Sequence, residues 1–99
     1  MPRKNTSFEW DSGNVTHLWE RHKVRPFEAE EMMRDTDAIL QPDVLHSHQE
    51  KRFAVIGKTR KHRILFLVFT VRTGRIRVLH ARGAKRGEVK LYEEKVSAA

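Results

Sequence analysis

The sequence contains no cysteine, so disulfides and thiolate-ligated metal sites are both excluded. Its longest apolar run, residues 64–69, is far too short to cross a bilayer, and the N-terminal segment lacks the apolar core of a signal peptide. With 38% hydrophobic and 33% charged residues, the composition favours a folded chain over a disordered one. We therefore expect a cytoplasmic protein without membrane contact, forming one domain over residues 1–99 with loose ends at 1–6 and 95–99.

Acidic residues are missing from residues 51–87. This segment carries twelve Lys and Arg and no Asp or Glu, whereas residues 1–50 carry six basic and ten acidic side chains. The formal net charge of +7 therefore understates how unevenly the charge is distributed. Because like charges at this density repel one another and cost stability, we expect them to serve a polyanionic partner such as nucleic acid. An acidic protein is the competing interpretation of the partner.

The hydrophobic pattern predicts an α+β fold, with helices packed on a largely antiparallel four-stranded sheet. Apolar residues and His22 recur at helical spacing in the first helix, and Pro26 opens the second. Residues 35–43 are expected to form a loop, and Thr73-Gly74 a tight hairpin turn. The expected order is β-α-α-β-β-β-α, with strands at 7–10, 50–57, 63–71 and 75–82 and a last helix at 85–94.

The last predicted strand carries positive charge to its end. If Ile76 and Val78 face the core, strict alternation also turns His80 and Arg82 to the core side. Two interpretations remain open: Arg82 pairs with a helix carboxylate such as Glu88, or Arg82 and His80 meet a phosphate in an open cleft. His80 can also act as a general acid or base, although a lone histidine is more often structural.

Other histidines raise the alternative of a metal site. His46 and His48 are two residues apart, which would place both rings on one face of a strand, and His62 follows later. No third ligand or paired carboxylate accompanies them, so we expect no metal and no cofactor. His22 ends the apolar stripe of the first helix and is interpreted as a packing residue.

Six short motifs occur in a fixed order between residues 8 and 94. They are FEWD at 8–11, EAEE at 28–31, EKR at 50–52, IGKT at 56–59, RILFLVFTVR at 63–72 and RIRVLHARGAKRGEVKLYEE at 75–94. This order resembles the BrnT-like toxin family of type II toxin–antitoxin systems. The most specific part of the resemblance is the segment ARGA at 81–84 together with the following Glu88 and Tyr92.

The resemblance implies a small ribonuclease of RelE-like fold that inhibits translation by cutting RNA without a metal. In such toxins the 2′-hydroxyl of the substrate attacks the adjacent phosphate while basic side chains stabilise the developing charge. It also implies a cognate BrnA-like antitoxin, which covers the active face and can bind operator DNA together with the toxin. We expect the free chain to be a monomer or a homodimer. A non-catalytic nucleic-acid-binding module and a protein-interaction domain remain alternatives that use the same basic sheet.

Site residues are carried over by position. Arg82 matches the Arg that follows Ala in the family's last strand and is interpreted as a phosphate clamp. His80 stands where many members have Ser, so a catalytic histidine is not inherited, and Lys23 replaces the Gly that commonly follows the helix-ending His. Tyr92 is either a core residue or a hydroxyl that holds phosphate. The predicted catalytic residues are Arg82, Arg63, Glu50 and His80, and the predicted RNA-binding residues are Arg52, Arg72, Arg75, Arg77, Lys85, Arg86 and Tyr92.

Overall fold

A computed structural model describes residues 6–43 and 50–98 of the chain. Four strands form one antiparallel sheet in which each strand lies beside the next one along the chain, so the expected α+β fold is confirmed. Among the described residues, no helix is long and apolar enough to cross a membrane. The elements are α1 (Ser12–His22), α2 (Pro26–Met33), β1 (Ile39–Pro42), β2 (Phe53–Lys58), β3 (Ile64–Arg72), β4 (Arg75–Gly83) and α3 (Arg86–Ala98).

The fourth strand of the sheet is not the one that the sequence predicts. Residues 7–10 make only an isolated parallel bridge, between Phe8 and Ile76, instead of a strand. The segment expected to be a loop contributes β1, in which Ile39 lies opposite Ile56 of β2. Pro42 can end this edge strand because its missing N–H is not needed on the outer side. The observed order is therefore α-α-β-β-β-β-α.

Helix α1 is fixed at both ends. At its start, the Asp11 carboxylate accepts a hydrogen bond from the Asn14 backbone at 3.2 Å, and the Asn14 side chain accepts one from the Asp11 backbone at 2.9 Å. The Asn14 amide also donates to the carbonyl of Val78 at 3.4 Å, which ties α1 to β4. At its end, Lys23 adopts a left-handed conformation with φ of 54°. These contacts set the position of His22, the last residue of the helix.

The hydrophobic core lies between the first two helices and one face of the sheet. Helix α1 contacts β4, and α2 contacts β2 and β3. The expected turn at Thr73-Gly74 joins β3 to β4, and both residues have positive φ, as a two-residue hairpin turn requires. Buried core residues are Leu18, Val24, Ala29, Met32 and Met33 on the helical side and Val55, Leu65, Leu67, Phe69, Ile76, Val78 and Ala81 on the sheet side.

A β-bulge interrupts the alternation of β4. Val78 lies opposite Phe69, whereas the next paired residue, His80, lies opposite Val68, so Leu79 is an extra residue without a partner. Beyond this point Ala81 is the buried residue, and His80 and Arg82 leave the core side. The prediction that strict alternation turns His80 and Arg82 to the core is therefore wrong, because the inserted residue reverses the facing of every residue after it.

Helix α3 is longer than expected. It runs from Arg86 to Ala98, four residues beyond the predicted end at 94, so residues 95–98 are helical rather than loose. The Lys95 ammonium donates to the carbonyl of Ala38 at 3.0 Å, which ties the last turns of the helix to the segment before β1.

Candidate active site

An open cavity of about 480 Å³ lies on the face of the sheet opposite the core. Phe66 and Val68 of β3 line it, and the bulge adds His80 from β4. Arg52, just before β2, lines the same cavity. The structure thus brings together two of the residues predicted for the site, Arg52 and His80, which lie far apart in the sequence.

Arg82 contacts Phe66, one of the residues that line this cavity. Its two terminal nitrogens donate to the two carboxylate oxygens of Glu88 at 2.8 and 3.0 Å, and its guanidinium lies 4.3 Å from the ring centroid of Phe66. Glu88 also accepts a hydrogen bond from the Lys85 backbone at 2.8 Å. The pKa of Glu88 lies below its ordinary value, chiefly because of the hydrogen bond from Arg82. Of the two interpretations left open for Arg82, the structure shows the pairing with a helix carboxylate. This pairing orients the guanidinium on the face of β4 that also carries His80.

Three histidines converge at the same end of β4. The rings of His22 and His80 meet edge to face with centroids 4.7 Å apart, and His17 lies 6.1 Å from His22. Burial lowers the pKa of both His22 and His80, and the neighbouring histidines and Arg82 add to the effect. A lowered pKa favours the neutral imidazole, the form that can accept a proton or coordinate a metal.

The family of the chain follows from a comparison with family models. A family model described as "Ribonuclease toxin, BrnT, of type II toxin-antitoxin system" matches residues 10–88. The chain belongs to the BrnT family. Members of a type II toxin–antitoxin family have an antitoxin partner, and a ribonuclease toxin has RNA as its substrate. A comparison with curated proteins gives no match.

In this BrnT chain, Arg63 lies next to the histidine cluster but points to the end of α1. Its guanidinium donates to the carbonyl of Lys23 at 2.8 Å and to that of His22 at 3.3 Å. It also pairs with Glu28 of α2 at 3.2 Å. The terminal carbonyls of a helix carry partial negative charge, so a guanidinium there is favourable. Arg63, which the sequence predicts to be catalytic, is thus engaged with the end of α1 and with Glu28.

Glu50 lies at the opposite end of the sheet from Arg82. It forms a two-pronged ion pair with Arg72, with distances of 3.0 and 2.9 Å. Arg72 is six residues along β3 from Phe66, the partner of Arg82 in the sheet, a separation of roughly 20 Å in an extended strand. Glu50 is therefore not brought together with Arg82 and His80, although all three were predicted to be catalytic.

Two further predicted RNA-binding arginines have partners in the segment before α1. Arg77 bonds Glu9 and Asp11, both at 2.7 Å, and Arg75 donates to the carbonyl of Phe8 at 2.8 Å. The hydrogen bond from Arg77 lowers the pKa of Asp11. Acidic residues of the N-terminal half thus compensate part of the positive charge that the sequence concentrates in residues 51–87.

The last helix holds the remaining predicted residues. Lys85, directly before α3, and Arg86, the first residue of α3, are both exposed. Tyr92 is 2% exposed, and its hydroxyl donates to a carboxylate oxygen of Asp35 at 2.5 Å. Of the two interpretations of Tyr92, its position fits the core residue, because phosphate would have to displace Asp35.

Sequence reasoning missed the cluster formed by His17, His22 and His80. The two helical members are five residues apart, a spacing that does not place them directly above one another on a helix. The third member comes from a distant strand whose facing depends on the bulge. The histidines weighed for a metal were others: His46 and His48 lie outside the described residues, and His62 is exposed on the turn between β2 and β3.

Proposed function

We propose that this BrnT-family chain is a metal-independent endoribonuclease that cleaves RNA by attack of a 2′-hydroxyl on the adjacent phosphate and thereby inhibits translation. The observation that supports this most is the adjacency of Arg82, His80 and His22 beside an open cavity in the most basic part of the chain. A BrnA-like antitoxin would neutralise the toxin by covering this cavity, and operator DNA would be bound through the antitoxin.

Arg82 is the residue that we assign to the phosphate. As the 2′-oxygen attacks, negative charge accumulates on the non-bridging oxygens. The pair with Glu88 uses one hydrogen of each terminal nitrogen, and the carbonyl of Gly83 accepts the second hydrogen of Nη1 at 3.1 Å. The phosphate would therefore be met by the other side of the guanidinium, where Nε and Nη2 can donate two parallel hydrogen bonds. Its pairing with Glu88 and its position over Phe66 orient the group before substrate arrives, which lowers the cost of reorganisation. Loss of one such preorganised donor typically costs about 100- to 1000-fold in rate.

His80 and His22 are the residues that we assign to proton transfer. One neutral imidazole takes the proton of the attacking 2′-hydroxyl, and the O–P bond to the 5′-oxygen breaks as the new bond forms. The imidazolium so formed then delivers this proton to the departing 5′-oxygen, directly or through the neighbouring ring. The two rings are in contact with each other, and His80 lines the cavity. A scissile phosphate between Arg82 and His80 would therefore meet a charge-stabilising group and a proton-transfer group together.

Cleavage of RNA in the presence of EDTA tests this assignment. The wild type, Arg82→Ala, His80→Ala and the control Arg34→Ala are each incubated with labelled free RNA in EDTA. In a separate reaction they are incubated with translating ribosomes, which are kept in the Mg²⁺ that they require, without EDTA. Arg34 also pairs with a glutamate, Glu30 at 3.4 Å, but belongs to the end of α2 on the other side of the sheet. We expect products with 2′,3′-cyclic phosphate ends from the wild type and from the control, and a loss of at least 100-fold in the other two variants.

The outcome also decides between the enzyme and the alternatives. If a folded wild type cuts neither free RNA nor RNA on ribosomes, the endoribonuclease proposal is wrong. RNA binding that weakens steeply with salt would then indicate a non-catalytic nucleic-acid-binding module. Absence of RNA binding, together with binding of the antitoxin, would indicate a protein-interaction domain.

A further inference from the structure

We infer that His17, His22 and His80 form a binding site for a single Zn²⁺ ion, and that the bound ion reversibly blocks the proposed ribonuclease. One ring nitrogen from each histidine lies within 4.8 Å of the other two. Nitrogens that share a tetrahedral zinc at about 2.0–2.1 Å lie roughly 3.4 Å apart, so no pair of rings has to close by more than about 1.4 Å. His17 is exposed, and its side chain can make this movement by rotation.

The set of ligands selects the class of ion. Imidazole nitrogens suit zinc and the neighbouring late transition metals, whereas magnesium and calcium require oxygen ligands. Within the described residues the cluster consists of imidazoles alone. Three protein ligands leave the fourth tetrahedral position open to water or to a phosphate oxygen.

The scaffold positions the ligands before an ion arrives. His17 and His22 share α1, whose ends are fixed by the Asp11–Asn14 capping pair and by Arg63. His80 belongs to β4, and the hydrogen bond from Asn14 to Val78 joins the helix to this strand two residues before it.

Nearby positive charge limits the affinity. Arg21 and Arg82 both act electrostatically on His22, and Arg82 also acts on His80. Glu88 compensates Arg82 through its two hydrogen bonds. We therefore expect an exchangeable ion that EDTA removes, as a reversible inhibitor requires, in contrast to the tightly held ion of a structural zinc site.

Zinc would inhibit the enzyme because it occupies the ring nitrogens that accept protons, and this inhibitory role rests on the proposed function. A zinc-bound imidazole has no free nitrogen lone pair with which to accept a proton. His22 and His80 would both be withdrawn from proton transfer, and a dication would stand beside Arg82. Zinc binding itself does not depend on ribonuclease activity, so the two claims are tested separately.

Isothermal titration with Zn²⁺ tests the site directly. The full chain is prepared without an affinity tag, stripped with EDTA, dialysed and titrated with Zn²⁺, with Mg²⁺ as the negative control. We expect one zinc ion per chain and no binding of magnesium. In His17→Ala the zinc affinity should fall by at least about tenfold, the loss that even supporting residues of metal sites cause.

Two control variants address the other histidines. His62→Asn retains a residue suited to the left-handed conformation of the turn, with φ of 68°, and should bind zinc as the wild type does. The double variant His46→Ala/His48→Ala should also bind normally. Absence of zinc binding in the wild type, unchanged affinity in His17→Ala, or loss of binding in either control would overturn the inference.

A second assay separates the site from the enzyme. His17→Ala should retain RNA cleavage in EDTA, because His17 is not assigned to the reaction, and zinc should inhibit this variant far less than the wild type. If zinc binds but no RNA is cut, the metal site stands and the proposed function fails. If RNA is cut and zinc binds to His17, His22 and His80 without slowing cleavage, the inhibitory role is refuted.

Discussion

Replacing Tyr92 with phenylalanine should destabilise the protein without slowing RNA cleavage. The hydroxyl of this buried residue donates to a carboxylate oxygen of Asp35 at 2.5 Å, and the same oxygen accepts from the Lys58 backbone at 2.9 Å. A hydrogen bond to a charged group contributes about 1.5–3 kcal/mol. Because Asp35 keeps its bond from Lys58 and is only half-buried, we expect a loss of about 2 kcal/mol, from the middle of that range.

Urea denaturation measures this loss. With a slope of about 2 kcal/mol per molar urea, the midpoint of the Tyr92→Phe variant should lie about 1 M below that of the wild type. Asp35→Asn and the double variant complete a cycle that isolates the coupling between the two side chains. A Tyr92→Phe variant of unchanged stability but much slower RNA cleavage would refute this reasoning and restore Tyr92 as an RNA contact.

The ionisation of Tyr92 gives an independent check. Burial raises the pKa of Tyr92 above its ordinary value of 10.0, and the hydrogen bond to Asp35 adds to the effect. The folded state therefore binds this proton more tightly than the unfolded state does, and the resulting stabilisation is present below pH 10.0 and is lost as the pH rises above it. Tyr92 is the only tyrosine, so tyrosinate absorbance reports on it alone. Appearance of tyrosinate at pH 10 in the folded chain would contradict the burial of the hydroxyl.

Three further substitutions have expected effects on stability, each measured by urea denaturation. Glu88→Gln should lower the free energy of unfolding by about 1–2 kcal/mol at neutral pH, because it breaks charged hydrogen bonds. The pKa of Glu88 is lowered from 4.5, so the stabilisation by its carboxylate is present above pH 4.5. The difference in stability between the variant and the wild type should therefore shrink as the pH falls below that value. Lys23→Gly should stabilise the protein by about 1 kcal/mol, because residue 23 has a φ of 54° and glycine adopts this left-handed conformation without strain. An unchanged or lower stability would argue against the left-handed cap. Gly57→Ala should destabilise by about 1–3 kcal/mol, because its Cβ would lie 2.5 Å from the carbonyl oxygen of Met32; full stability would mean that α2 shifts at no cost.

The helices and strands with a clear hydrophobic periodicity could be predicted from the sequence, and the short or irregular elements could not. The apolar run in β3 and the helical spacing of α1 both reflect burial against the core, which the pattern of residue types records. Strand β1 has only Ile39 and Leu40 as apolar residues, and Leu40 is 43% exposed, so its pairing with β2 leaves little trace in the sequence. Phe8 shows the reverse case, in which a buried side chain suggested a strand where only a bridge forms.

The candidate site could be predicted in part. Arg82 and Arg52 came from motif position, and the pairing of Arg82 with Glu88 follows from charge and proximity in the sequence. Glu50 was assigned to the same site because a linear motif carries no information on which end of the sheet a residue occupies. The convergence of His22 and His80 depends on a bulge, which no periodicity rule predicts.

Because Leu79 is an extra residue without a partner in β3, it decides which side chains of β4 line the cavity. A substitution in β4 changes one side chain, whereas the loss of Leu79 would exchange the two faces of everything that follows it in the strand. Ala81 would then face the open cavity, and His80 and Arg82 would face the helices, with no residue replaced. The proposed activity is therefore more sensitive to single-residue deletions and insertions between Val78 and His80 than to most substitutions there. Deletion of the one codon for Leu79 would be enough to abolish this activity while the fold is retained.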